Sequence, residues 1–282
     1  MRKIIIFSDG GLGNRLNSLI GGLIAAEKLR CIPVICWPVN NWCGCAFEDL
    51  FVSDLEISDK GMNDIFLEDD KIYLTHDSQI DKVLKNKFEH TIEALKKIEK
   101  MSQDIVYFHN KIPSYFIEDD IITKLKTLKI VPNILMQAKS FCNQHSIGKK
   151  TNGVHIRKTD HGRQIDSESI FSNISNDKKI GYFVCSDDKT TEEQFNKLKN
   201  VAVYPKTSYV EKLVDGEWTT KIKDSEGRIF PYNVDRPKQS VVEAFIDLLI
   251  LSRTNIIIRN KSSFLGWAKV YALVNNLDEF AQ

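Results

Sequence analysis

Four apolar residues, Ile4 to Phe7, stand between the basic start and the polar turn of "MRKIIIFSDGG". Beyond that turn the period changes. Leu16, Leu19, Ile20, Leu23 and Ile24 recur at intervals of three and four, which lines them along one stripe of a helix. "CIPVICW" then returns to a short continuous apolar run, the mark of a strand covered on both faces. The pattern predicts a strand over 3–8, a glycine turn over 9–13, a helix over 14–30 and a second strand. That is a βαβ opening, and it implies a parallel sheet with right-handed crossovers.

Between residues 40 and 130 the periodicity weakens, offering a charged helix over 79–101, a strand over 104–108 and a helix over 119–128. From Pro132 it sharpens again: a helix to about 145, strands over 153–156 and 180–185, a helix over 191–198 and a strand over 201–204. A polar insertion, 206–238, is expected to form a hairpin around "DGEW". A helix over 240–251, a strand over 255–258 and a helix over 262–274 close the chain. Alternation of this kind predicts α/β architecture in two Rossmann-like, doubly wound domains, at 1–135 and 136–282.

Composition narrows the function classes. The chain has 282 residues, and its 39 cations against 38 anions leave a net charge of +1, too little for a nucleic-acid binder that lives on phosphate contacts. No apolar stretch reaches the roughly 18 residues of a membrane span, and the N-terminal run is short for a signal peptide. A cytoplasmic protein is expected, with room for peripheral membrane association and no prediction of oligomeric state. The six cysteines are dispersed, as in a reducing compartment. "CGC" at Cys43–Cys45 has no histidine nearby, so no metal site is expected there.

Candidate chemistry gathers where strands end. "GGLGNRL", Gly10 to Leu16, lies between strand and helix, where glycines let the backbone approach a ligand and the helix start attracts anions. As a dinucleotide fingerprint it fails: the third glycine position, counted from Gly11 and Gly13, is Leu16, and the acid expected about 20 residues on is missing. Asn14 and Arg15 still face whatever lies above the sheet; the plain alternative is a tight turn. In "GVHIRKTDHGR" strand alternation sends His155 and Arg157 to one face, with Arg157 placed for a bidentate grip on a diphosphate and Asp160 near enough to orient it. A solvated ion pair is the equal alternative. "YFVCSDD" ends in Ser186, Asp187 and Asp188, carboxylates able to accept guanine N–H groups or simply to cap a helix. "NIIIRNKSSFLGWA" brings Ser262 and Ser263 to a helix start, an anion cradle or a plain cap.

Taken in order, "GGLGNRL", "HIRKTD", "YFVCSDD" and "LLILSRTNIIIRNKSSFLGWA" resemble the motifs of the fucosyltransferase superfamily of α1,2-, α1,6- and protein O-fucosyltransferases. The resemblance runs from residue 8 to 268. It implies a GT-B fold, two domains facing across a cleft, with the acceptor on the first and GDP-fucose on the second. It further implies inversion at the anomeric carbon without metal or other cofactor, and no Asp-x-Asp occurs in the chain. The partners implied are a GDP-sugar donor and a glycan acceptor. The catalytic set carried over is Arg157 and Asn14, with Asp166 as candidate base; Glu168 and Asp9 are further acids near the motifs. The donor-binding set is Gly11, Gly13, Arg15, His155, Lys158, Asp160, Ser186, Asp187, Asp188, Ser262, Ser263 and Phe264. Lys158 stands where the α1,6 enzymes carry a second arginine and gives up its planar fork, and Leu265 replaces a serine common in the α1,2 group. Rival readings are a GT-B transferase for another nucleotide-sugar and a non-catalytic nucleotide- or glycan-binding relative.

Overall fold

The computed structural model describes residues 1–58, 71–75, 87–89, 91–109, 111–159, 166–177, 179–223, 229–257 and 262–274. The chain divides into two compact units. One is built chiefly from Met1–Val39 and Ala46–Ile130, the other from Asn40–Cys45 and Val131–Leu277.

The first unit contains β1 (Lys3–Phe7), α1 (Leu12–Lys28), β2 (Ile32–Cys36), β3 (Phe51–Val52), β4 (Glu56–Ser58), β5 (Ile72–Thr75), β6 (Lys87–Phe88), α2 (Ile92–Ile98), β7 (Ile105–Phe108), α3 (Glu118–Thr127) and β8 (Lys129–Ile130). Six strands form a sheet in the order β4-β2-β1-β7-β5-β6, every adjacent pair parallel, while β3 and β8 pair separately. The βαβ opening is therefore present. Its helix lies very close to the sheet, because a Cβ on Gly22 would stand 2.5 Å from Ile6 Cγ2. The chain steps outward from β1 to β2 and β4, then fills the other side. The carboxyl end of β1 is thus a switch point of the sheet.

Of the charged helix expected over 79–101, residues 79–86 and 90 lie outside the described residues; α2 follows Thr91, whose Oγ1 accepts the Ala94 N–H at 3.1 Å. Lys87 and Phe88 instead pair in parallel with Tyr73 and Leu74 as an edge strand. Pairing with a neighbouring strand overrides the helical pattern there.

The second unit contains α4 (Pro132–Gln144), β9 (Asn152–Ile156), α5 (Ser167–Asn176), β10 (Tyr182–Ser186), α6 (Lys189–Phe195), β11 (Val201–Ala202), β12 (Thr219–Lys223), β13 (Ile229–Tyr232), α7 (Lys238–Ser252), β14 (Asn255–Ile256) and α8 (Ser263–Leu273). Its parallel sheet runs β11-β10-β9-β14, which makes the β9/β14 boundary the second switch point. Val154 and Ile156 pack with Ile174, Val184 and Phe195 on one side of this sheet. The sequence pattern did not announce α5. The insertion does hold an antiparallel pair, β12 and β13, but "DGEW" leads into β12 rather than forming the turn. Six residues of the earlier chain join this unit: the Gly44 N–H donates to the Arg236 carbonyl at 2.8 Å, and the Arg236 N–H to that of Asn41 at 3.0 Å. Among the described residues no helix is long and apolar enough to cross a membrane.

Candidate active site

In the first unit the glycine loop is held from inside. Gly10 takes φ of +78°, a conformation open to glycine. The Gly11 carbonyl then accepts the amides of Asn14 and Arg15 at 2.9 and 3.1 Å, starting α1. Gly13 is buried in the first turn, and half-buried Asn14 packs over Gly10. Arg15 does not face a donor as expected. Its side chain is fully buried, its Nε donates to the Gly10 carbonyl at 2.7 Å, one terminal nitrogen lies 3.7 Å from Asp9, and the guanidinium stacks over Trp37 at 5.1 Å. The turn leaves an inward carbonyl that a buried cation satisfies, so Arg15 braces the loop. At the same sheet edge His109 is buried, with Nδ1 accepting the Lys111 N–H at 3.0 Å and its carbonyl accepting the Ser18 hydroxyl at 2.8 Å.

The second unit holds most of the expected residues. Strand alternation puts His155 on the face opposite Val154 and Ile156, and half-buried Arg157 is the first residue past β9. His155 is buried and stacks on the half-buried Phe264, with ring centroids 4.7 Å apart. Burial, then the charges of Arg157 and Lys206, push its pKa down to about 3, so the ring is neutral at physiological pH. Its Nδ1 has no partner among the described residues. Ser262 precedes α8 and Ser263 opens it, both half-buried.

Asp187 and Asp188 are employed differently from the guanine-accepting role expected of them. Asp187 accepts the Lys158 N–H at 2.7 Å and the Thr159 hydroxyl at 2.5 Å, and its Oδ2 lies 4.0 Å from Arg157 Nε. Asp188 caps α6, taking the Thr191 N–H at 2.7 Å and hydroxyl at 2.6 Å. Ser186 is buried, and its hydroxyl accepts the Asp188 N–H at 3.1 Å. Both carboxylates are thus turned to local folding, the outcome their capping chemistry allowed. Asp166 caps α5 through Oδ1, which accepts the Ser169 N–H at 3.0 Å, and Glu168 is exposed in the first turn. Asp160 lies outside the described residues.

Sequence reasoning missed a buried ionic cluster beside these strand ends. Lys206 Nζ donates to Glu192 Oε1 at 2.6 Å, to Asp247 Oδ2 at 2.8 Å and to the Ser186 carbonyl at 2.5 Å. The Tyr209 hydroxyl donates to Glu192 Oε2 at 2.8 Å. One turn before Asp247 on α7, Glu243 accepts the N–H groups of Thr207 and Ser208 and the Thr207 hydroxyl, so the loop carrying Lys206 is tied to that helix. Burial raises the Glu192 carboxyl, and burial together with the charge of Glu192 raises Asp247 to about 7, while the two carboxylates hold Lys206 firmly charged. Asp247 Oδ1 has no partner among the described residues. The signal was present in "SVVEAFIDLLILS": two acids four apart in an apolar helix need a buried partner. Among the described residues no three His, Cys, Asp or Glu side chains gather as a metal would require.

No protein-family model and no curated protein matches the chain. Solved structures do. A NodZ α-1,6-fucosyltransferase soaked with GDP-fucose superposes with a TM-score of 0.58 at 17% identity, over 96% of this chain and 92% of that one. The chain shares the fold of the NodZ fucosyltransferase. NodZ from Bradyrhizobium gives 0.58 at 18% identity over 95% and 92%, and NodZ co-crystallised with GDP gives 0.55 at 18% over 95% and 91%. The likeness to NodZ covers both units, and the expected GT-B class of α/β fold is met: each unit is built on a parallel sheet.

Proposed function

We propose that the chain is an inverting, metal-independent glycosyltransferase that moves L-fucose from GDP-fucose to a glycan hydroxyl, in the cytoplasmic synthesis of a surface glycan. One observation carries this reading. At the switch point of the second unit's sheet the guanidinium of Arg157, with a carboxylate oxygen of Asp187 4.0 Å from its Nε, stands just past a strand on which His155 keeps a neutral ring whose Nδ1 has no partner among the described residues.

The chemistry follows from what each group can do. A diphosphate leaving a sugar develops negative charge, and a fixed guanidinium aimed at it can supply about 3 kcal/mol of transition-state stabilisation. The amides at the start of α8, with Ser262 and Ser263, add donors for the same anion. Guanine presents N–H donors that need acceptors. With Asp187 and Asp188 turned to folding, Asp247 Oδ1 and His155 Nδ1 take that role in the proposal; Lys206 touches Asp247 and depresses His155, which puts both in one neighbourhood. Asn14 is proposed to contact the sugar, and Asp166, whose cap bond uses Oδ1, to take the acceptor proton. The known fold of NodZ and its GDP-fucose and GDP complexes support the donor choice.

Thermal-shift measurements with GDP, GDP-fucose, GDP-mannose, UDP-sugars and NAD test it. Guanosine diphosphates at a hundred times their Kd should add about 2.7 kcal/mol of stability. Stabilisation by UDP or NAD instead overturns the donor assignment. Arg157→Ala should cut GDP-fucose turnover by about 100-fold or more. EDTA should leave the rate unchanged.

A further inference from the structure

Asp187 accepts two hydrogen bonds from the segment that carries Arg157, a backbone N–H and a hydroxyl, and its Oδ2 stands 4.0 Å from the guanidinium Nε. The residue before it is gripped at both backbone polar groups. The Ser186 N–H donates to Glu192 Oε1 at 2.7 Å, and the Ser186 carbonyl accepts from Lys206 Nζ. Lys206 is in turn fixed by Asp247, and its loop by Glu243. Short polar contacts therefore link α7 through Lys206 to Ser186; the next residue in the chain, Asp187, is hydrogen-bonded to Lys158 and Thr159 and stands 4.0 Å from Arg157 Nε.

We infer that Asp187 is a positioning residue for Arg157, and that the Lys206–Glu192 pair is the clamp that fixes Asp187 in place. The inference rests on the proposed role of Arg157 at the diphosphate. Stability alone does not account for the arrangement, since a buried ion pair is commonly no better for stability than apolar residues of the same volume. An arginine side chain also loses rotamer freedom when it is ordered, and orienting it in advance removes that cost from binding.

The test uses the full-length protein and two probes, GDP and guanosine, with Kd measured by calorimetry. The ratio of guanosine Kd to GDP Kd isolates what the phosphates contribute. Arg157→Lys should lower that ratio about tenfold or more. Asp187→Ala should lower it by a similar factor; the variant also lowers the melting temperature, since the Lys158 N–H and the Thr159 hydroxyl lose their acceptor, and the ratio separates that loss from the phosphate contribution. Lys206→Met should lower it as well, whatever it does to guanosine binding itself. The Asp187→Ala/Arg157→Lys double variant should fall no more than about twofold below Arg157→Lys, the signature of two residues acting through one contact. A loss of general integrity would weaken both probes together and leave the ratio alone. If Arg157→Lys leaves the ratio at the wild-type value, the functional reading fails. If Arg157→Lys lowers it while Asp187→Ala keeps it within about twofold of wild type, only the positioning role is overturned. Should Lys206→Met not fold, Asp187→Ala decides alone.

Discussion

His155 gives the sharpest test of the site because its charge state can be read without knowing any substrate. The ring is 6% exposed, stacked on Phe264, and shares its surroundings with the cations Arg157 and Lys206. Its pKa falls from 6.5 to about 3 on folding. The unfolded chain therefore takes up the proton first. The contribution to stability is intact above pH 6.5 and is lost progressively as pH falls towards 3. At pH 4.5, two units below the unfolded value, the loss is about 2–3 kcal/mol at 1.36 kcal/mol per unit. His155→Phe keeps a flat ring against Phe264 and removes the proton site. Urea unfolding of wild type and variant at pH 7.5 and 4.5, followed by tryptophan fluorescence with buried Trp267 reporting on this unit, measures the difference. Carboxylates such as Asp247 titrate in both proteins and largely cancel. The wild type should lose about 2–3 kcal/mol more than the variant between the two pH values; parallel pH profiles would refute the claim that the imidazole is held neutral.

Two further predictions concern the scaffold. Gly22→Val should cost about 1–3 kcal/mol in urea unfolding, since Ile6 atoms stand within 3 Å of the new Cβ; equal stability would mean that α1 can lift off β1 at no cost. Glu243→Ala leaves the Thr207 and Ser208 amides without their acceptor and should cost about 2–4 kcal/mol while speeding hydrogen exchange at those amides; unchanged exchange would show that α7 does not hold the loop.

The parts that proved legible share one cause. Buried parallel strands read as apolar runs, and α1, α4, α7 and α8 carry their own apolar stripes or continuous apolar faces, so their existence follows from local pattern. The strand-end position of His155 and Arg157 followed from the same alternation. What stayed hidden depends on partners far along the chain. Lys87–Phe88 is a strand only because Tyr73 and Leu74 lie beside it. Arg15 looked like a ligand-facing cation, yet its carbonyl and carboxylate partners, Gly10 and Asp9, turn it inward. Lys206 sits in a polar insertion that gives no sign of burial, and its partners are 14 and 41 residues away. The two aspartates after β10 were ambiguous between ligand and cap, and only the α6 start and the Lys158–Thr159 turn resolve the choice.

The six residues Asn40–Cys45 have a practical consequence. They are sewn to Arg236, nearly two hundred positions later, yet they lie between two stretches of the other unit. A gene truncated to begin at Val131 would produce a half lacking its own stitch, and a gene stopping at Ile130 would leave that ribbon with nothing to dock on. Whoever wants either half by itself should transplant the ribbon, or accept that ribosomal synthesis makes the first half carry a piece whose seat arrives only near the end.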